Sequence, residues 1–246
     1  LRYANYYTND AKVYHYRGFA GEVITRNCLL NVSGCAWNSP VRVREIVIDS
    51  SIPQKKEIVR GIEDCRLIGP GEWFATSKSY ADTDANKIFH GQRSGEGADI
   101  WRIAQMPLPP GVAASECQKN WLPFGVRGEL RYIYSFSPFK ICDAGGAVKV
   151  EVDTRIGDLM LKDYRGSAGP VEWTSLASGA AGAADEAYLC VMHKVQYADN
   201  GRRYYHRFMT LDKDFRPSRV SCFVRMSREQ IEYWSGMCLG PDGYLI

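Results

Sequence analysis

A pattern of a polar hexamer, a glycine-containing turn and an aromatic strand recurs along this 246-residue chain, and it restricts the possible folds more than any other feature. The hexamers begin at positions 63, 119, 165 and 231, with the sequences EDCRLI, KNWLPF, RGSAGP and IEYWSG. Repeats of roughly 40 to 50 residues with four strands each are typical of propeller blades. Since the first 50 residues supply a further blade, the pattern predicts an all-β, five-bladed β-propeller. An irregular β-sandwich is the alternative.

The predicted propeller is a single domain over residues 1–246, with blades that start near 1, 63, 119, 165 and 231 and with the first and last blades incomplete. Runs rich in aromatic and β-branched residues predict its strands. They lie at 41–48, 72–80, 99–106, 129–136, 147–152, 186–195, 203–211 and 219–226. The best helix candidate, 227–233, spans barely two turns, which excludes a helical bundle or a sheet of βαβ units.

Charge and hydropathy exclude two classes of partner. The formal charge of +3 is too small to predict nucleic-acid binding, so any anion site must be local. No apolar run approaches the roughly 18 to 20 residues of a membrane-spanning helix, so no membrane association is predicted. The chain starts at Leu1 and stops in the apolar run 243–246, so we expect it to be part of a longer polypeptide, fused to other domains or built into a larger assembly.

The 8 cysteines contain no CxxC pair and no histidine at zinc-ligand spacing, so no metal site is predicted. Cys190 and Cys222 lie within apolar, strand-like runs, where a free cysteine behaves as a small hydrophobic residue. Buried reduced thiols favour a cytoplasmic protein, while the even number of cysteines leaves disulfides open.

The blade pattern also predicts where a site would lie. The innermost strands of a propeller converge on the central axis, so residues that begin different blades can line one pocket. The predicted wall consists of Asp64, Arg66, Lys119, Asn120, Arg165 and Glu232, with His193 at the end of the strand after the third hexamer.

The hexamers also carry a family resemblance. Residues 61–66, GIEDCR, resemble the G-x-E-D-P-R signature of glycoside hydrolase family 130, the five-bladed mannoside phosphorylases and mannosidases, and of the related glycosyltransferase family 108. The later hexamers, with 134–138 (YSFSP) and 188–193 (YLCVMH), look like later blade signatures in the same order. The likeness spans most of the chain and is closest to a divergent branch found beside glycosyltransferase modules. The resemblance implies that no cofactor is needed. It also implies two substrates, of which one is inorganic phosphate or a sugar phosphate and the other is an oligosaccharide.

The resemblance assigns roles to individual residues. Asp64 matches the general acid, which in the family acts on the glycosidic oxygen through a sugar hydroxyl. The implied sugar-binding residues are Arg2, Asn5, Tyr6, Glu63, Asn120, Trp121, Gly166 and Glu232, with Tyr134 and Trp234 as further rings that could stack on a sugar. The candidate phosphate ligands are Arg66, Lys119, Arg165 and His193.

The chemistry of cleavage separates the possible activities. A glycosidic bond needs a proton donor for the leaving oxygen and a nucleophile on the opposite face of the sugar. A hydrolase activates water with a second carboxylate, whereas a phosphorylase uses phosphate and needs cations to hold it in line. One acid, Asp64, with a cluster of cations therefore favours an inverting glycoside phosphorylase that transfers a mannosyl-type residue between a glycoside and phosphate.

Other functions stay open. Glu172 or Glu232 could supply the second carboxylate of a mannoside hydrolase or of a nucleotide-sugar glycosyltransferase. A propeller that binds glycans or joins an assembly without catalysis is the non-enzyme alternative. Cys65 stands where the family has proline, and Ser137 where phosphorylases place an arginine that grips phosphate, which weakens the phosphorylase assignment.

More ordinary roles are also open for the candidate residues. Glu63, Asp64 and Arg66 could form a structural ion-pair network, and His193 could be a histidine of the core.

Overall fold

The computed structural model describes residues 2–5, 23–31, 42–45, 47–48, 53–55, 59–69, 71–94, 100–153, 161–173, 186–198, 201–225, 234 and 236–238. The elements assigned within these residues are all β-strands, which confirms the all-β class. The chain divides into two compact units, Leu1–Met106 with Val112–Lys119, and Pro107–Gly111 with Asn120–Ile246. Each unit is described separately below.

The first unit contains two sheets. Its strands are β1 (Arg2–Asn5), β2 (Val23–Asn31), β3 (Arg42–Glu45), β4 (Val47–Ile48), β5 (Val59–Arg60), β6 (Glu63–Gly69), β7 (Glu72–Ser77), β8 (Lys87–Arg93) and β9 (Ile100–Gln105). One sheet has the order β1-β2-β3, with β5 parallel to β2. In the other, β6 to β9 form a four-stranded antiparallel meander, and β4 adds a parallel strand beside β9.

Two tryptophans form the centre of the meander β6 to β9. Trp73 and Trp101 are both fully buried, with ring centroids 5.8 Å apart. Gly91 is the cross-strand partner of Trp73, and a Cβ atom there would lie 2.1 Å from the indole ring. Only glycine therefore lets the large ring lie across the neighbouring strand.

The second unit contains two antiparallel meanders of four strands. Their strands are β10 (Leu122–Val126), β11 (Glu129–Phe136), β12 (Phe139–Asp143) and β13 (Val148–Val152), then β14 (Arg165–Glu172), β15 (Glu186–Ala198), β16 (Gly201–Asp212) and β17 (Pro217–Val220). Arg127 and Gly128 connect β10 to β11 with φ of 50° and 81°, as a two-residue hairpin of type I′ requires. One hydrophobic core joins the two sheets through residues such as Leu122, Ile141, Met192 and Met209.

The sheets begin where the hexamers predict. Glu63 and Arg165 are the first residues of β6 and β14, and β10 begins at Leu122, inside the hexamer that starts at 119. Three successive hexamers thus each open a four-stranded antiparallel meander, the first of which is extended by the parallel strand β4. The predicted helix at 227–233 and most of the last predicted blade lie outside the described residues.

Two predictions near the C-terminal end of the second unit are wrong. The strand predicted at 219–226 is β17, which spans Pro217–Val220. Cys222, predicted to be a buried thiol, is exposed, and Phe223 beside it is 59% exposed. The apolar run continues past Val220, but the ladder with β16 ends there apart from the bridge between His206 and Val224. The regular ladder therefore stops at Val220, although the hydrophobic pattern continues and Val224 still bonds to β16.

Candidate functional site

In the first unit, the proposed acid lies on a β-bulge. Glu63 pairs with Thr76 and Arg66 with Phe74, so Asp64 and Cys65 together oppose the single residue Ala75. Asp64 has a left-handed backbone, with φ of 55°. Bulges of this kind redirect side chains, and strained backbone of this kind is concentrated at functional sites.

A buried arginine fixes the backbone at this bulge. The side chain of Arg66 is 5% exposed, and its Nη1 donates a hydrogen bond of 3.1 Å to the main-chain oxygen of Asp64. Arg66 was predicted to bind phosphate, and this bond gives it a role in positioning Asp64.

The turn before the bulge is held by two buried serines. Ser77 Oγ donates to the carbonyl oxygen of Gly61 at 2.7 Å, and the amide of Gly61 donates to Ser79 Oγ at 3.1 Å. Gly61 itself has φ of 105°, a conformation that favours glycine. The chain that leads into Glu63 and Asp64 is therefore fixed from β7 and from the residues that follow it.

A buried lysine anchors the segment that leads to Lys119. Lys87 is 1% exposed, and its Nζ donates to the carbonyl oxygens of Ala114 and Glu116. The amide of Gln118 donates to the carbonyl oxygen of Asn86 at 2.8 Å. Lys119 itself is partly buried.

Asn120, in the second unit, repeats the backbone of Asp64. Its φ is 64°, and both residues hold the second position of their hexamers. The third hexamer has Gly166 at this position. Asp and Asn are among the residues that most readily adopt left-handed backbone, so the first two hexamers share this geometry, whereas Gly166 does not have a positive φ.

Trp121 was predicted to stack on a sugar, but the structure buries its ring against other aromatic side chains. Its indole is 2% exposed and stacks on Tyr132, with centroids 4.4 Å apart and planes 2° apart. Tyr134 meets the same indole edge-on at 5.5 Å. Tyr134 is only half-buried and is the more accessible ring of this cluster.

The third hexamer brings a cation, a histidine and a serine together. Arg165 is the cross-strand partner of His193, and Ser167 is an extra residue in a register shift between β14 and β15. The Oγ of Ser167 lies 2.7 Å from Nδ1 of His193, and both residues are buried. His193 is paired in turn with His206, and the ring centroids are 6.3 Å apart.

The second and third hexamers meet within the second unit. A Cβ atom on Gly166 would lie 2.4 Å from the main-chain oxygen of Asn120 and 2.5 Å from the side chain of Leu122. The structure thus brings Asn120 and Gly166 together. Arg165 precedes Gly166 on β14, and His193 lies on the neighbouring strand β15. Glu172 ends β14 about 20 Å from Arg165 by strand geometry, so it is separated from this group.

The remaining predicted residues are only partly covered. Arg2 and Asn5 lie on β1, which runs beside β6, but their side chains are outside the described part of the structure. Tyr6 and Glu232 lie outside the described residues altogether. Trp234 is described and meets the ring of Phe208 edge-on, with centroids 5.8 Å apart.

The sequence analysis missed Ser167, which bonds to the ring of His193, and His206, which is the cross-strand partner of His193. Ser167 stands inside the third hexamer, and that position was the available signal. His206 is thirteen positions from His193, and only the pairing of β15 with β16 places it there.

Cysteines and metal ligands add little to the site. The six described cysteines, Cys65, Cys117, Cys142, Cys190, Cys222 and Cys238, are free thiols. Cys190 is fully buried, as predicted, and burial raises the pKa of its thiol to about 12, so it is unreactive at neutral pH.

Within the described segments, no three His, Cys, Asp or Glu residues are grouped so as to hold a metal ion. The same segments include no helix of the length and hydropathy needed to cross a membrane.

No protein-family model matches the chain, and no curated protein matches it. The case for a function therefore rests on the residues and geometry described above.

Proposed function

We propose that the protein is a five-bladed β-propeller that acts as an inverting glycoside phosphorylase, with Asp64 as the general acid. The observation that carries the proposal is the backbone of Asp64, which is left-handed, lies on a bulge at the start of a sheet and is fixed by the buried Arg66. Strain of this kind costs about 1 to 3 kcal/mol and persists where the surrounding structure determines it. The resemblance of the hexamers to family 130 gives this aspartate its chemical role.

The proposed reaction is a single displacement. A phosphate oxygen attacks the anomeric carbon, the bond from that carbon to the glycosidic oxygen breaks, and the leaving oxygen takes a proton from Asp64 through a sugar hydroxyl. The products are the sugar 1-phosphate and the shortened glycoside. In the reverse direction, the sugar 1-phosphate and an acceptor give the glycoside and free phosphate.

Within the second unit, the residues that best suit an anion belong to the third hexamer. Arg165 is exposed and lies opposite His193 in the sheet. The Oγ of Ser167 lies 2.7 Å from Nδ1 of His193 and orients the imidazole. An Arg and a His donor on neighbouring strands suit a phosphate oxygen pair.

A non-catalytic glycan-binding propeller is the second candidate. It is favoured by Arg66, a predicted phosphate ligand whose side chain is buried and bonded to the main chain of Asp64. In this case the proposed cation cluster is reduced, and the protein would hold a sugar without turning it over.

The test is turnover of a sugar phosphate. The protein is incubated with mannose 1-phosphate and a short manno-oligosaccharide, and released phosphate is measured. Phosphate release by the wild type, abolished in Asp64→Asn and unchanged in the exposed control Asp82→Asn, supports the proposal. Binding of the oligosaccharide without phosphate release selects the glycan-binding candidate, and equal turnover by Asp64→Asn removes Asp64 from the chemistry.

A further inference from the structure

The hairpin of β15 and β16 extends beyond its sheet. The last pair between β14 and β15 joins Arg165 to His193, and the outer bridge of β16 joins His206 to Val224. Residues 194–198 and 201–205 pair only with each other among the described residues. We call residues 194–198 and 201–205 the arm, and its base lies beside Arg165 and His193.

The two faces of the arm differ. Side chains alternate across a strand, and direct cross-strand partners share a face. The pairs His193 with His206, Val195 with Tyr204, and Tyr197 with Arg202 therefore lie on one face. The Arg202 guanidinium carbon is 5.6 Å from the centroid of the Tyr197 ring, which agrees with this assignment. The face is continuous with the proposed anion site.

The opposite face of the arm carries the pairs Lys194 with Tyr205 and Gln196 with Arg203. The Nζ of Lys194 forms an ion pair with Asp163 at 3.2 Å. Arg202 and Arg203 are both exposed and adjacent in sequence, but they point to opposite faces. Substitution of each arginine in turn therefore compares the two faces of the arm.

The tip of the first face is open to solvent. Tyr197 is 75% exposed, whereas Tyr204 is 7% exposed and His193 is 5% exposed. Four residues of strand place the Tyr197 pair about 14 Å beyond the His193 pair. The exposed ring and its cation are therefore separated from the proposed anion site by the length of a short oligosaccharide.

We propose that Tyr197 and Arg202 form an outer subsite for a phosphorylated glycan chain, an inference that rests on the proposed function. The arm holds the far end of the glycan, and the reacting end of the glycan lies near Arg165 and His193. The apolar face of a sugar ring stacks on Tyr197, and Arg202 contacts a phosphate on the chain. Among the described residues of the arm, Arg202 is the one cation on this face, which suits a sparsely charged glycan. A nucleic acid, with one phosphate on each nucleotide, calls for a longer stripe of cations.

The experiment compares Arg202→Glu with Arg203→Glu in binding to phosphomannan, the same mannan after phosphatase treatment, and single-stranded DNA at one salt concentration. We expect Arg202→Glu to weaken binding of phosphomannan about tenfold or more, since a charge-assisted hydrogen bond is lost. Arg203→Glu should change it less than about twofold, because exposed charges that touch no ligand contribute little. Tyr197→Ala should weaken binding of both mannans, and Tyr197→Phe should retain it.

Three results would overturn the outer subsite: equal losses in Arg202→Glu and Arg203→Glu, no loss in Tyr197→Ala, or DNA that binds as tightly as phosphomannan. Unchanged thermal unfolding checks that each exposed variant is folded. The proposed function is tested by a different measurement, and it fails when Asp64→Asn leaves phosphate release unchanged or the wild type releases none. Binding of phosphomannan to the arm is measured independently of that result.

Discussion

The α-carbon of Gly166 lies so close to the main chain of Asn120 that a methyl group on it would be 2.4 Å from the Asn120 carbonyl oxygen. These residues hold the same position in successive hexamers. Because the neighbour is backbone and not the end of a flexible side chain, it cannot move aside at low cost. Glycine at this point lets the two sheets of the second unit approach at their hexamers.

We therefore expect Gly166→Ala to lower the free energy of unfolding by about 2 kcal/mol or more, in the range of overpacked sites. The matched control is Gly125→Ala on β10, where a Cβ atom would meet nothing within 4 Å. Urea unfolding with an unchanged m value measures both variants. Equal stability of the two would contradict the close approach.

The left-handed backbone of Asp64 predicts a separation of stability from activity. A non-glycine residue in this conformation costs about 1 to 2 kcal/mol, so Asp64→Gly should be about 1 kcal/mol more stable than Asp64→Ala. Both variants should lose phosphate release. At Asp82, which has no left-handed backbone, the order of the Gly and Ala variants should reverse because of the flexibility of glycine. The same order at both sites in chemical unfolding would show that Asp64 is unstrained.

The bond between Ser167 and His193 predicts a cost for removing the hydroxyl. Ser167→Ala takes away the 2.7 Å partner of a buried ring nitrogen, which should lower the free energy of unfolding by about 1 to 3 kcal/mol. Ser218→Ala, at an exposed position of β17, should change it by less than about 0.5 kcal/mol. Phosphate release should also fall in Ser167→Ala, since the orientation of His193 is lost. A neutral effect on both measurements would remove Ser167 from the site.

His90 predicts a pH dependence of stability. Burial lowers the pKa of its imidazole, and the Glu72 carboxylate, 3.9 Å away, opposes this by raising it. The unfolded chain then binds more protons below the ordinary value of about 6.5, so the free energy of unfolding falls as the pH drops through that window. His90→Gln should flatten this part of the curve, and Glu72→Gln should steepen it. Unfolding measured at several pH values between 4.5 and 8 tests both, and parallel curves for all three proteins would contradict the assignment.

Local sequence was enough to place the beginnings of the sheets. Glu63 and Arg165 begin β6 and β14, in agreement with the blade starts that the hexamers predict near 63 and 165. The strand predicted at 129–136 is β11 with the same bounds. The sequence fails at Cys222, which lies between the last ladder pair of β17, at Val220, and the bridge from Val224 to His206, and is exposed. Hydrophobicity indicates that a segment suits a strand, whereas the burial of each residue depends on the side of the sheet to which it points.

The local environment of the candidate residues was harder to predict. Ser167 and His193 are 26 positions apart, and their bond depends on a register shift that no local pattern specifies. The burial of Trp121 against Tyr132 likewise depends on how β10 and β11 align. Hexamer matching could identify which residues begin the sheets, but the direction of each side chain is set by bulges and register.

The antiparallel meanders also bear on how the chain acquires its structure during synthesis. In β6 to β9, β10 to β13 and β14 to β17, each strand pairs with the next one along the chain. Pairing between sequence neighbours lowers contact order and favours fast folding, and chains emerge from the ribosome with the N-terminal end first. Each of these sheets can therefore pair its strands before the following one has been translated. β4 is an exception, because Val47 must wait for Ile100 before it has a partner.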